Sequence, residues 1–152
     1  MDRKAMKWVS VTFVVAAAVP FACGNDNPPP VVEQAGSACM DKSECYLATD
    51  GAALMGGPPV CLPVTGGGYC THTCSADTDC CAVPGECKTA WPQVCSPFES
   101  QPDKYCILSC EDAQVADAGV TDANAFCATY AHAGFNCRSS GGGTQNRKVC
   151  MP

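Results

Sequence analysis

Apolar residues are unevenly spread along the chain. One dense run opens it: Trp8 to Ala18 (WVSVTFVVAAA) follows basic Arg3, Lys4 and Lys7, and Pro20-Phe21-Ala22-Cys23 closes it. From Trp8 to Ala22 the run covers 15 residues, fewer than the roughly 20 that cross a bilayer as a helix. A basic start, a short apolar stretch and a small residue at the break predict a removable export signal over 1–22. Beyond it the bulky apolar residues are scattered, among them Leu47, Leu54, Leu62, Trp91, Phe98, Ile107, Leu108, Phe126 and Phe135. This pattern predicts short elements: strands over Tyr69–Thr73 and Tyr105–Ser109, where Tyr, Thr and Ile flank cysteines. Gly66-Gly67-Gly68 and Gly141-Gly142-Gly143 predict turns or mobile loops. One short helix is expected near 122–133, capped by Thr121, favoured by Asp122 in its first turn and ended by Gly134. Phe126, Cys127 and Tyr130 share a face of it at helical spacing.

Fully burying a bulky side chain yields about 1.5–3 kcal/mol, while ordering each residue costs about 1–2 kcal/mol of backbone entropy. So sparse a core needs support. Fifteen of the 152 residues are cysteine, the density of a disulfide scaffold, and each cross-link typically contributes ~2–4 kcal/mol. The fold class expected is therefore a small disulfide-rich protein.

The cysteines are also periodic. Cys39, Cys45, Cys61, Cys70 and Cys74 recur as Cys74, Cys80, Cys95, Cys106 and Cys110, displaced by about 35 residues. Their neighbours recur too: Lys42-Ser43-Glu44-Cys45 answers Asp77-Thr78-Asp79-Cys80. Val60-Cys61-Leu62-Pro63, Val94-Cys95-Ser96-Pro97 and Val149-Cys150-Met151-Pro152 repeat a third marker. Two to three Cys-rich modules follow, at about 39–74, 74–110 and 110–152, within a Cys-rich region spanning 37–152. Cys81 and Cys87 are extra in the second, and residues 111–126 stretch the third. Residues 23–36, with Pro28-Pro29-Pro30, read as an extended tether.

Ala22-Cys23 at the end of the apolar run resembles the lipobox of bacterial lipoproteins, although Pro20 stands where that family usually has an aliphatic residue. The resemblance implies lipid attachment at Cys23 and cleavage before it; Gly24 resembles the residue of lipoproteins sorted to the outer membrane. Parity agrees, since fourteen cysteines remain to pair: Cys39, Cys45, Cys61, Cys70, Cys74, Cys80, Cys81, Cys87, Cys95, Cys106, Cys110, Cys127, Cys137 and Cys150. The spacing leaves their connectivity open. It resembles the Cys-rich repeats of small extracellular modules and of bacterial envelope lipoproteins, which implies a binding or structural role. Cleavage after Ala18 or Ala22 without lipid would instead give a freely secreted protein.

Removing 1–22 takes away three basic residues and one acidic residue, moving the formal net charge from −6 to −8. Such a surface repels phosphate backbones, so no nucleic-acid partner is expected.

Candidate chemistry is sparse. Cys70-Thr71-His72-Thr73-Cys74 places a histidine between two cysteines, but structural zinc sites usually use two close cysteine pairs and the chain has no C-x-x-C. Disulfides are expected there, with no metal and no cofactor. Adjacent Cys80 and Cys81 are expected to take different partners. Asp77, Asp79, Asp112, Asp117 and Asp122 lack the spacing of a calcium loop and read as a solvated acidic surface. His72 and His132 are the two histidines, and no catalytic motif accompanies them. Tyr46, Trp91 and Tyr105 are candidate contacts for a protein or glycan, or else local core.

The chain thus reads as a non-enzymatic, outer-membrane lipoprotein with a stapled binding or structural module. The alternative is a secreted inhibitor-like or toxin-like effector presenting Val83-Pro84-Gly85-Glu86.

Overall fold

The computed structural model describes residues 34–98, 101–141 and 146–152. The expected signal, Cys23, the tether before Gln34 and Gly142-Gly143 lie outside them. Three antiparallel hairpins follow one another along the described chain. Strand β1 (Ala38–Cys39) lies on one edge of β3 (Gly67–His72), and β2 (Pro59–Val64) lies on the other. Strand β4 (Gln93–Pro97) pairs with β5 (Lys104–Leu108), and β6 (Asn136–Ser139) pairs with β7 (Lys148–Met151). The two strands expected from sequence are β3 and β5.

Each hairpin sets one cysteine opposite another: Cys61 faces Cys70, Cys95 faces Cys106, and Cys137 faces Cys150. A further pairing recurs. Ala38 lies opposite Tyr69, Thr73 opposite Tyr105, and Ser109 opposite Val149. The N–H groups of Cys74 and Cys110 donate to the carbonyls of Lys104 and Lys148, both at 3.0 Å. The chain leaving β3 therefore becomes the edge of the next hairpin, and the chain leaving β5 does the same. Only three residues separate Cys70 from Cys74 and Cys106 from Cys110, so each joint is itself engaged in a strand pairing.

Short acidic segments shape the turns before the second cysteines. Residues Lys42–Glu44 and Asp77–Asp79 form single 3-10 turns. Asp41 accepts the Ser43 N–H, Glu44 accepts the Met40 N–H, and Asp79 accepts those of Ser75 and Ala76. These carboxylates satisfy donors that a helix start leaves open. The echo between the two tetrapeptides is thus the same turn built twice.

The third stretch replaces that turn with two helices. Helix α2 (Ala123–Tyr130) matches the expected one but is capped by Asp122, which accepts the Asn124 N–H at 2.9 Å, rather than by Thr121. Its buried Phe126 and Cys127 face inward, while Tyr130 and Phe126 meet Trp91 at ring separations of 5.9 Å. Helix α1 (Asp112–Asp117) was not expected from sequence. Its alanines and glutamine are good helix formers, yet in six residues only Val115 is buried, too little for a periodic signal. Gly119, at φ +68°, turns the chain out of it.

One apolar cluster runs through all three hairpins, from Leu62 and Tyr69 through Phe98, Ile107 and Leu108 to Phe126, Phe135 and Val149. The modules therefore share a core as well as holding their own bridges. Tyr46 and Tyr105 are buried within the fold and Trp91 is half-buried against α2, so these aromatics are core rather than exposed contacts. Gly67 and Gly68 are likewise strand residues of β3, outside any loop. A Cβ on Gly68 would lie 2.2 Å from the Cys61 sulfur and 2.7 Å from the Cys39 carbonyl. The bridge beneath β3 requires glycine there.

Candidate functional site

The covalent framework is the most developed chemistry in the molecule. Seven bridges join Cys39–Cys61, Cys45–Cys70, Cys74–Cys95, Cys80–Cys106, Cys81–Cys87, Cys110–Cys137 and Cys127–Cys150. Leaving aside Cys81–Cys87, each successive set of four cysteines pairs first with third and second with fourth. Register explains this order. The facing cysteines of a hairpin diverge, one to the strand before it and one to the turn or helix between. Cys74 and Cys110 pair forward, opening the second and third sets. Cys150 faces Cys137 and so stands where Cys70 and Cys106 stand, whereas the Val149-Cys150-Met151-Pro152 marker aligns it with Cys61 and Cys95. Cys80 and Cys81 take different partners, so no vicinal bridge forms.

Several sulfur groups crowd within 4.8 Å: Cys39, Cys45 and Cys70; Cys74, Cys80 and Cys106; Cys110, Cys127 and Cys150. Each arises where two bridges lie side by side, and none offers the thiolate that zinc requires. His72 is engaged with oxygen partners rather than with a thiolate. Its Nδ1 lies 2.8 Å from the Thr73 carbonyl and its Nε2 lies 2.8 Å from Glu86 Oε1. Each ring nitrogen thus faces an acceptor oxygen.

His72 and Glu86 form the most buried polar cluster. Both side chains have 0% exposure. Glu86 Oε1 also accepts the Cys81 N–H at 2.7 Å, and Oε2 accepts the Val83 N–H at 2.9 Å. The loop bridged by Cys81 and Cys87 folds around this carboxylate and delivers it to β3 of the preceding hairpin. Residues beside it complete the joint: the Ala35 N–H donates to the Glu86 carbonyl and the Lys88 N–H to the Ala35 carbonyl. Glu86 is thus an inward clamp, while Pro84 and Gly85 at the tip of the same loop are exposed. Tyr46 packs edge-on against His72 at 5.9 Å, and burial pushes its phenol well above the usual range, as it does for Tyr69.

A cleft of about 720 Å³ opens between the second and third hairpins, within the size range of small-ligand sites. Asp77, Ser96, Lys104, Asn146 and Arg147 line it. Burial raises the Asp77 pKa, but Arg147, the Cys95 N–H and Lys104 outweigh it and hold the carboxyl below its usual range. Asp77 and Asp79 are engaged with Arg147 and backbone N–H groups, Asp112 pairs with Lys148, and Asp122 caps α2. These acids therefore serve separate local structures. His132 packs at a tilt against Phe135, with ring centroids 5.3 Å apart.

No helix among the described residues is long and apolar enough to cross a membrane. Bridges at this density form and persist in an oxidising environment, and they define the class of the protein: a small disulfide-rich protein, consistent with an extracellular structural or binding module. No family model, curated protein or solved structure matches the chain.

Proposed function

We propose that the chain is an exported lipoprotein of the cell envelope, anchored in the outer membrane by acyl chains on Cys23. Its stapled body is a non-enzymatic binding or structural module built of repeated four-cysteine units. One observation carries this reading. The bridges take up every cysteine from Cys39 to Cys150, which leaves Cys23 as the fifteenth, beside Ala22 at the end of the apolar run. Lipidation gives that thiol a chemical fate that pairing does not. The membrane partner is reached through the lipid, because no polybasic patch follows Cys23 and the acidic body would not bind anionic headgroups. A protein or glycan ligand has the cleft beside Asp77 and Arg147 as its best-formed seat.

Intact-mass analysis of the protein extracted from envelopes tests the anchor. The expected species begins at Cys23 and carries acyl chains, and Cys23→Ser releases the protein from the membrane fraction. A lipid-free wild-type product in the medium would overturn the reading.

A further inference from the structure

Six of the seven bridges have at least one buried cysteine, and the seventh has none. Cys81 is exposed and Cys87 is half-buried. This bridge also stands outside the first-with-third, second-with-fourth order, so its loss leaves the three interlocked sets complete. Cys81 has φ +59°, a left-handed conformation that a side chain other than glycine adopts at a cost. Its partner is only 6 residues away, so an opened pair stays close enough to re-form.

Cys81–Cys87 also closes the loop that matters most at the first joint. Between the two cysteines lies Glu86, which reaches His72, and beside them lies Ala35, held through the Glu86 carbonyl and the Lys88 N–H. The bridge thus secures Gln34 and Ala35, the first described residues, whereas Gly36 and Ser37 are held separately by backbone hydrogen bonds to Cys70 of β3.

We infer that Cys81–Cys87 is a thiol–disulfide exchange site, and that its reduction by an extracytoplasmic dithiol unclasps Gln34 and Ala35 while the other bridges stay closed. One thiolate of the dithiol attacks the Cys81 sulfur, and Cys87 leaves as a thiolate that takes up a proton. The second thiol of the reductant then attacks the mixed disulfide and releases Cys81 as a thiol. Two electrons pass to the protein, and the dithiol becomes a disulfide. Attack needs access as well as a thiolate, and among the described bridges this one gives the most open approach. Exchange at this bridge requires export but not lipid, so it stands or falls apart from the fate of Cys23.

Graded dithiothreitol treatment of the native protein, followed by alkylation and peptide mapping, provides the test. Cys81 and Cys87 are expected to label together, at a rate at least about tenfold above any other pair. Hydrogen exchange on the partly reduced protein should then rise at the amides of Ala35, Cys81, Val83 and Lys88. A Cys81→Ser/Cys87→Ser variant should show the same raised exchange and no labelling at that dose. Earlier labelling of another pair, or reduction of all seven together, would overturn the site. Selective labelling with unchanged exchange would overturn the clasp.

Discussion

Replacing Glu86 with alanine is the sharpest test of how the first two hairpins are joined. Three donors converge on this one carboxylate: the His72 ring at 2.8 Å and the N–H groups of Cys81 and Val83 at 2.7 and 2.9 Å. Hydrogen bonds to a charged group are worth about 1.5–3 kcal/mol each. The three are not independent, because one loop supplies two of them and can relax once the acceptor is gone. Halving a buried pair typically costs about 3–5 kcal/mol, and about 4 kcal/mol is the expectation here. Glu86→Gln keeps the shape and one acceptor oxygen but turns an amide donor toward other donors, so about half that loss is expected. Asp122→Ala, which removes an exposed helix cap, provides the scale at about 1 kcal/mol. Guanidinium unfolding of bridge-intact protein, followed by near-ultraviolet circular dichroism, would measure all three, with coincident probes checking two-state behaviour. If Glu86→Ala cost no more than Asp122→Ala, the cluster would not be the clamp described.

Four other outcomes follow from the same structure. Non-reducing peptide mapping should recover the first-with-third and second-with-fourth pairs in each set, plus Cys81–Cys87; one bridge between different sets would refute the register argument. Gly68→Ala places a Cβ 2.2 Å from the Cys61 sulfur and should sharply lower the yield of protein with Cys39–Cys61 closed, measured by the same mapping. The depressed Asp77 pKa contributes stability that is present above the ordinary carboxylate value of 3.8 and is lost as pH falls through the folded value. Asp77→Asn should flatten that acid limb in urea titrations. Raised Tyr46 and Tyr69 pKa values act at the other extreme: their contribution is present below the ordinary phenol value of 10.0 and is lost as pH rises above it. Tyrosinate absorbance from these two rings should therefore lag that of the unfolded chain and appear with alkaline unfolding.

Local signals carried much of the architecture. A tyrosine before a cysteine in a Thr- or Ile-containing run marks β3 and β5, and Asp122 with Phe126, Cys127 and Tyr130 marks α2. Connectivity was not legible, because a cysteine's letter does not name its partner. That choice is made by register across a hairpin, and register depends on the turn between the strands. The third stretch illustrates the limit. Val149-Cys150 copies the letters of Val60-Cys61, yet Cys150 lies on the second strand of its hairpin. With α1 and α2 in place of a 3-10 turn, no flanking residues remained to correct the alignment. His72 and Glu86 were invisible for another reason: their contact joins two hairpins, and a glutamate in a short polar loop looks solvent-facing until the loop is seen to close inward.

The interlocked order of the bridges has a further consequence for survival outside a cell. A single backbone cut anywhere from Cys39 to Cys70, from Cys74 to Cys106 or from Cys110 to Cys150 leaves both fragments covalently joined. Only a cut in the joints, at 71–73 or 107–109, would detach a hairpin from the next. Five of those six residues are buried, with Thr71, His72 and Ile107 at 0% exposure and Leu108 and Ser109 beside them, while Thr73 is half-buried. A single cut in the loops thus releases nothing, and the peptide bonds whose loss would divide the molecule lie mostly in buried residues engaged in strand pairing.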